Sequence, residues 1–219
     1  MKKIAVVLCG SGYLDGSEIR ESVAVLWALS QYPIEVQCFA PDEYQKDVVN
    51  CLTGKIAPGE KRNMLVEAAR IARGEVLALR QLETSIADYD GLILPGGFGA
   101  AKNLCDFAAQ GSNGKVRPDL EAILHAFHRA GKPMGAICIA PAIVALAFKG
   151  KGLELTVGEA GEAATELEKL GHTHVLKAPD ECHYDSKNRI ATAPAYMYED
   201  APLHQIFEGI RKVVQKVVQ

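Results

Sequence analysis

Hydrophobic positions along the chain form short apolar runs that alternate with stretches of helical periodicity. The strongest apolar runs predict buried strands over Lys3–Cys9, Ile34–Phe39, Tyr89–Leu94 and Pro133–Ile137, with shorter strands over Leu153–Val157, His174–Leu176 and Arg189–Thr192. The periodic stretches predict helices over Glu18–Gln31, Arg62–Arg73, Val116–Ala130, Ile139–Phe148, Gly161–Leu170 and Glu199–Val218. Because continuously apolar strands separated by helices are typical of parallel sheets covered on both faces, the pattern predicts an α/β fold with a mostly parallel central sheet.

Length and composition narrow the class of protein. A chain of 219 residues without linkers or repeats predicts a single domain over residues 1–219. The net charge of −3 does not favour nucleic-acid binding. The sequence has no run of eighteen apolar residues, so no membrane span is predicted. The apolar run at the N-terminus stops at Gly10, which favours a first strand over a signal segment. Six scattered cysteines suit a reducing compartment, so we expect a cytoplasmic protein.

The most informative segment surrounds Cys138, where a predicted strand meets a predicted helix. Small residues, Ala136 and Ala140, lie two positions before and two positions after the cysteine, and Pro141 suits the first turn of a helix. This spacing is typical of a nucleophile elbow, a sharp turn that leaves room only for small flanking side chains. Helix amides facing the sulfur would favour the thiolate and lower the pKa of the thiol. The alternative is an ordinary buried cysteine.

Two glycine-containing loops follow other predicted strands. In open parallel sheets, active sites lie beyond the carboxyl ends of the strands, so both loops are expected near Cys138. The first loop, residues 10–18, has Asp15 where a dinucleotide loop needs its third glycine, so no Rossmann cofactor is predicted. Glu18 at its end is either a helix-capping acid or a general base for Cys138. The second loop, residues 95–102, is either a tight turn or a source of amides for an oxyanion hole shared with Ile139.

The histidines offer candidates but no metal site. His125 and His128 lie three residues apart on a predicted helix and are interpreted as solvated. Either His174 or His183 is an imidazole that could reach Cys138, although each is equally compatible with a structural role. The spacing of histidines, cysteines and acids shows no metal-binding constellation, so neither a metal nor an organic cofactor is predicted.

Four motifs together resemble a known family. They are Asp15-Gly16-Ser17-Glu18, the run from Leu94 to Asn103, the Cys138 elbow up to Ala142, and the run from Thr192 to Met197. The chain resembles class I glutamine amidotransferase-like proteins and PfpI-type peptidases, chaperones and glyoxalases, and within them the ElbB branch, which is linked to isoprenoid synthesis. The resemblance implies a flavodoxin-like three-layer sandwich and a homodimer.

The resemblance also implies a function and a set of site residues. It implies a cysteine-dependent lyase, a glutathione-independent glyoxalase that converts glyoxal or methylglyoxal to the 2-hydroxy acid through a hemithioacetal. Cys138 is then the nucleophile and Glu18 its acid–base neighbour. Gly97 and Ile139 are the amide donors, and Gly96 and Asp15 belong to the substrate-binding group. No cofactor is implied, and the partner is a small 2-oxoaldehyde.

Departures from the wider superfamily exclude some chemistry and leave rivals open. PfpI-type members have a histidine directly after the cysteine, whereas this chain has Ile139, which argues against peptidase activity. No His-x-Glu triplet occurs near Pro194, so glutaminase chemistry is not predicted. The main rival is a redox-sensing or chaperone-like protein in which Cys138 is oxidised to a sulfinic acid. A third hypothesis is a partner-binding protein with a vestigial site.

Overall fold

The computed structural model describes every residue from Met1 to Gln219. Its strands are β1 (Lys3–Val7), β2 (Glu35–Ala40), β3 (Val49–Asn50), β4 (Lys55–Ile56), β5 (Val76–Ala78), β6 (Gly91–Leu94), β7 (Met134–Ile137), β8 (Glu154–Leu155), β9 (Thr173–His174), β10 (His183–Asp185) and β11 (Ile190–Ala193). Its helices are α1 (Ile19–Leu29), α2 (Met64–Ile71), α3 (Leu79–Ser85), α4 (Phe98–Asn103), α5 (Phe107–Gln110), α6 (Pro118–Arg129), α7 (Ala140–Ala147), α8 (Glu162–Lys169) and α9 (Leu203–Val218).

Seven of the strands form one central sheet. Its order is β5-β2-β1-β6-β7-β11-β10, and every pair is parallel except the edge pair of β10 with β11. Without the two edge strands the order is 2-1-3-4-5 in chain order, which is that of flavodoxin-like folds. The predicted fold class, a flavodoxin-like α/β sandwich, is therefore confirmed.

Helices cover both faces of this sheet. Right-handed crossovers that run outward in opposite directions from β1 place their helices on opposite faces. On one face α1 packs against α9, which also contacts β6, β7 and β11, and on the other α6 packs between α3 and α7. The central strands are consequently buried on both sides, and β1 from Ile4 onward, β6 and β7 contain no exposed residue. This double burial explains their uninterrupted apolar sequences.

Most predicted elements are present with shorter ends, and the elements missed by sequence analysis are short. The hairpin of β3 with β4, the edge strands β5 and β10, and helices α3, α4 and α5 were not predicted. β3 and β4 contain two residues each, and β5 and β10 contain three each, too few to show a hydrophobic period. Their positions depend on the neighbours that they pair with rather than on a local pattern.

The topology gathers three loops at one edge of the sheet. The loops after β1, β6 and β7 leave the carboxyl ends of adjacent parallel strands. The chain departs from β1 toward β2 on one side and returns to β6 on the other, so a crevice opens at this point. The site residues predicted from the sequence all lie in these loops.

Candidate functional site

Cys138 occupies a strained turn between β7 and α7. Its φ is +61°, in the left-handed region that non-glycine residues rarely adopt, at a cost of about 1–3 kcal/mol. The turn is fixed because the Cys138 amide donates to the carbonyl oxygen of Ala193 at 2.9 Å and α7 begins two residues later. Ala136 and Ala140 on either side are fully buried, as the elbow pattern requires. The predicted sharp turn is present.

Two backbone amides face the Cys138 sulfur. They belong to Gly97 and Ile139, and each hydrogen bond favours the thiolate. Gly97 has φ +104°, and a Cβ there would lie 2.5 Å from the Glu18 nitrogen. A Cβ on Gly96 would lie 2.6 Å from the Cys138 Cβ. Only glycines therefore let the loop after β6 approach the cysteine closely enough to present an amide.

The carboxyl group beside Cys138 is that of Glu21. It is fully buried, lies in hydrogen-bond contact with the thiol, and accepts from the Gly96 amide at 2.8 Å through Oε2. Its Oε1 accepts from the Tyr196 amide at 3.4 Å. The loops after β6 and β11 thus donate to one carboxyl group, and the loop after β7 places the sulfur beside it.

The two reactive groups shift each other's titration. Burial, followed by the charge of Glu18, raises the pKa of Glu21 to about 8. Burial, followed by the charge of Glu21, raises the pKa of the Cys138 thiol well above its ordinary value. The expected lowering of the thiol pKa by helix amides is therefore wrong, because burial and a neighbouring acid outweigh the two amides. Near neutral pH, the pair keeps both of its protons.

The observed contacts of Glu18 are those of a helix-capping acid. It is half-buried at the N-cap of α1, where its Oε2 accepts from the Glu21 amide at 2.6 Å. Its own amide donates to the Gly96 carbonyl oxygen at 2.9 Å. The capping alternative thus describes its contacts, and its acid–base role stays a prediction that variants of Glu18 and Glu21 test.

Asp15 and Ser17 hold the loop after β1. Asp15 is buried, and its Oδ2 accepts from the Val49 amide at 2.8 Å, which ties the loop to the β3–β4 hairpin. Ser17 does not cap α1, since its hydroxyl oxygen accepts from the Cys9 amide at 2.9 Å. In this structure the Asp15 carboxylate is engaged by backbone, so its predicted contact with substrate stays a prediction.

The histidines make their hydrogen bonds away from Cys138. His183 is paired with Glu154 at 3.0 Å, and the buried Nε2 of His174 has no hydrogen-bond partner. His125 and His128 pack on the Phe148 ring at centroid distances of 4.8 and 4.9 Å, so they are less solvated than expected. No group of three histidine, cysteine or acidic side chains is arranged to hold a metal ion.

Two cavities flank the Cys138 turn, and Cys138 lines neither. The first, of about 730 Å³, is bounded by Phe98, Phe107, Ile139 and neighbouring residues of α5 and α8, and is called the Ile139 cavity. The second, of about 590 Å³, is lined by Tyr13, Leu14, Glu18, Arg20, Tyr196 and Glu199, and is called the Glu18 cleft. The Arg20 guanidinium donates to the Tyr196 hydroxyl at 2.9 Å across this cleft.

Sequence reasoning missed Glu21, although one signal was present. Glu21 lies on the same helical face as Val25 and Ala28, four and seven positions later, and all three are buried. An acid on the apolar face of a helix, one turn from the strand-end loops, is a candidate for a buried functional carboxyl group. The Tyr196 amide was not predicted as a donor, because its closeness to Glu21 depends on how the loop after β11 packs against α1.

Comparison with known proteins places the chain among named relatives. The human protein "Glutamine amidotransferase-like class 1 domain-containing protein 3, mitochondrial" is 45% identical over 226 residues, covering 99% of this chain and 82% of the human protein. The crystal structure of an isoprenoid biosynthesis protein with an amidotransferase-like domain from Ehrlichia chaffeensis is 36% identical with a TM-score of 0.90, covering 100% of this chain and 98% of that chain. No family model matches the chain.

A more distant likeness shows the fold alone. A DJ-1 superfamily protein from Salmonella typhimurium is 19% identical with a TM-score of 0.60, covering 100% of this chain and 91% of that chain. None of the helices described above combines the length and apolar character that a membrane crossing requires.

The identities and coverage of the nearer relatives confirm the resemblance drawn from the motifs. The chain belongs to the class I glutamine amidotransferase-like proteins and is related within them to the ElbB-like isoprenoid biosynthesis proteins and to the rat ES1 protein homolog, mitochondrial, which is 44% identical over 226 residues, covering 99% of this chain and 83% of the rat protein.

Proposed function

We propose that the protein is a glutathione-independent glyoxalase that converts glyoxal or methylglyoxal to the 2-hydroxy acid. The observation that carries the proposal is the Cys138 sulfur between one carboxyl group, Glu21, and two amides, those of Gly97 and Ile139. A nucleophile, an acid–base group and donors for an oxyanion are the components that covalent aldehyde chemistry needs. Cys138 is only 7% exposed, which suits a small electrophile.

The first step is addition of sulfur to the aldehyde. Glu21 first releases its own proton to water, and the resulting carboxylate takes the thiol proton while sulfur bonds to the aldehyde carbon, so that the carbonyl oxygen becomes an oxyanion facing the two amides. Glu21 then returns the proton to that oxygen, giving a neutral hemithioacetal on Cys138. A base with a pKa of about 8 suits this reversible transfer at neutral pH.

The second step moves a proton between neighbouring carbons. Glu21 removes the proton from the former aldehyde carbon while a water molecule protonates the adjacent carbonyl oxygen, which forms an enediol and a hydroxide ion. Glu21 then gives its proton to the second carbon and the hydroxide takes the proton of the first hydroxyl, which leaves a thioester and restores the water. Water cleaves the thioester to the 2-hydroxy acid and the free Cys138 thiol, so no electrons enter or leave. We assign this acid–base work to Glu21 in place of Glu18, because Glu21 is the carboxyl group that contacts the sulfur.

The test is turnover of methylglyoxal without glutathione. Wild-type protein should form lactate, measured by chromatography, and Cys138→Ala should form none while keeping its thermal melting profile. Cys51→Ala, at an exposed thiol, is the matched control and should keep wild-type activity. Lactate formation by Cys138→Ala at near wild-type rate would show that the nucleophile is assigned wrongly.

A second candidate is the redox-sensing thiol, favoured by one observation. A Glu21 that is protonated near neutral pH can donate to a sulfinate oxygen, and the Gly97 and Ile139 amides can donate to the other. Mild peroxide followed by mass spectrometry would then add two oxygens to Cys138 selectively. That result without any aldehyde turnover would favour the sensor over the glyoxalase.

Three further expectations stay proposals. A role in isoprenoid synthesis is suggested by the printed name of the Ehrlichia chaffeensis relative. A homodimer is implied by family resemblance. A cytoplasmic location follows from the scattered cysteines, whereas the human relative is named mitochondrial, so fractionation of the source cells is the deciding measurement.

A further inference from the structure

We infer that the Ile139 cavity binds an apolar substituent of the substrate, so that the preferred substrate is a 2-oxoaldehyde with an alkyl tail longer than the methyl group of methylglyoxal. The inference rests on the proposed function and names the substrate class of the same site. A cavity of about 730 Å³ is of the size that encloses a complete small-molecule ligand. Methylglyoxal, with three carbons, would leave most of it empty.

The cavity lies next to the residues whose amides face the sulfur. Ile139, whose amide faces Cys138, lines it, and so does Phe98, which directly follows the other donor, Gly97. An aldehyde bonded to the sulfur, with its oxygen toward these two amides, therefore has the cavity beside it.

The lining suits an alkyl chain. Seven of the fourteen lining residues are apolar, among them Phe98, Phe107, Ile139 and Ala163. Of the three ionised ones, Lys169 is paired with Glu166 at 2.5 Å, Glu166 also accepts from the Ser112 amide, and Glu162 is exposed to solvent. A methylene packed on the apolar residues removes apolar surface from water while Glu162 stays in solvent.

The Glu18 cleft is the alternative route for the tail, and its chemistry argues against it. Three of the six residues that line it are charged, namely Glu18, Arg20 and Glu199, against three of the fourteen that line the Ile139 cavity. An alkyl chain placed there would take charged groups out of water without giving them a partner, which is unfavourable. The two cavities therefore differ in the tail that they accept, and this difference can be measured.

The experiment uses the full chain and a series from methylglyoxal to 2-oxohexanal, which is longer by three methylene groups. We expect kcat/KM to rise about fourfold per methylene, or roughly sixtyfold over the series. Ala163→Leu, which narrows the cavity from α8, should reduce the rise to less than fivefold. Ala122→Leu makes the same change at an exposed position of α6 and should keep both the rise and the methylglyoxal rate. Phe98→Ala, at the opposite and half-exposed wall, should also weaken the rise and serves if Ala163→Leu does not fold.

Three results would overturn the inference. They are a kcat/KM that does not increase with chain length, a rise that survives both cavity variants, or a rise that Leu14→Trp in the Glu18 cleft abolishes instead. If the wild type turns over no aldehyde, the proposed function fails. The preference of the cavity for alkyl tails is then measured from aldehyde binding. The aldehyde concentration that protects Cys138 from iodoacetamide should then fall with chain length in the wild type and not in Ala163→Leu. Equal protection along the series would overturn the inference on its own.

Discussion

Two buried carboxyl groups at opposite places in the sheet behave in opposite ways. Glu21, at the carboxyl edge of the central strands, has its pKa raised to about 8 by burial and by the charge of Glu18. Asp185, at the turn between β10 and β11, is only 4% exposed, yet its pKa is lowered because several hydrogen bonds outweigh burial. These bonds come from the Glu154 amide at 3.0 Å and from the Asn188 amide and side chain at 3.1 and 2.7 Å.

The difference shows that burial alone does not make a carboxyl group reactive. Both Asp185 oxygens accept hydrogen bonds, so the carboxylate form is stabilised and the side chain holds the turn between β10 and β11. Glu21 has one short and one long amide contact, an acidic neighbour and a thiol beside it. A carboxyl group left with spare acceptor capacity next to a nucleophile can exchange protons, and that property identifies the Glu21 region as the functional one.

The largest effect is expected for Glu21→Gln, which tests whether the Glu21 carboxyl group is the reactive one of the two. Glutamine keeps the size and hydrogen-bonding reach but cannot accept the thiol proton, so aldehyde turnover should fall by roughly 10²–10⁴-fold. Steady-state assays with methylglyoxal measure the loss, and thermal melting shows that the fold is kept. Wild-type turnover in a folded Glu21→Gln protein would transfer the base to another residue.

The pH dependence of stability should separate the two carboxyl groups next. Below pH 4.5 both folded and unfolded chains hold the Glu21 proton, whereas between 4.5 and about 8 only the folded chain does. The proton uptake that favours folding is thus lost as pH rises, by at most about 1.4 kcal/mol per pH unit. Urea unfolding of the wild type and Glu21→Gln from pH 5 to 8 measures it, and the unfolding free energy of the wild type should fall relative to that of Glu21→Gln as pH rises. A constant difference would mean that the pKa of Glu21 is not raised.

Asp185→Ala should affect stability but not chemistry. It leaves the amides of Glu154 and Asn188 without their acceptor, which should cost about 1–3 kcal/mol of unfolding free energy. Turnover per folded molecule should equal that of the wild type, since Asp185 contacts no residue of the Cys138 turn. A large loss of turnover at full stability would contradict a purely structural role.

The smallest effect is expected for Glu18→Gln, which tests the acid–base role predicted from the sequence. Glutamine can still accept from the Glu21 amide, so the stability change should stay within about 1 kcal/mol. Because the charge of Glu18 raises the pKa of Glu21, its removal should shift the pH profile of kcat/KM to lower pH. A fall in turnover of a hundredfold or more, with the pH profile unmoved, would instead establish Glu18 as the base.

The sequence by itself determined the fold class, the Cys138 turn and the two loops that meet it. Uninterrupted apolar strands between helices are compatible with a doubly covered parallel sheet, and small residues around Cys138 are required by local sterics. These features are local, so a linear pattern records them. The glycines at 96 and 97 were visible for the same reason, although their closeness to Cys138 was not.

Only the tertiary structure decided which acid lies beside the sulfur and how the pair titrates. Glu18 and Glu21 are separated by one helical turn, and their roles depend on which side of α1 faces β7. The pKa of the Cys138 thiol was predicted in the wrong direction, because a helix terminus is visible in the sequence whereas burial and a neighbouring charge come from distant segments. Long-range packing sets the local dielectric and the partners of each group, and those two quantities determine where the protons reside.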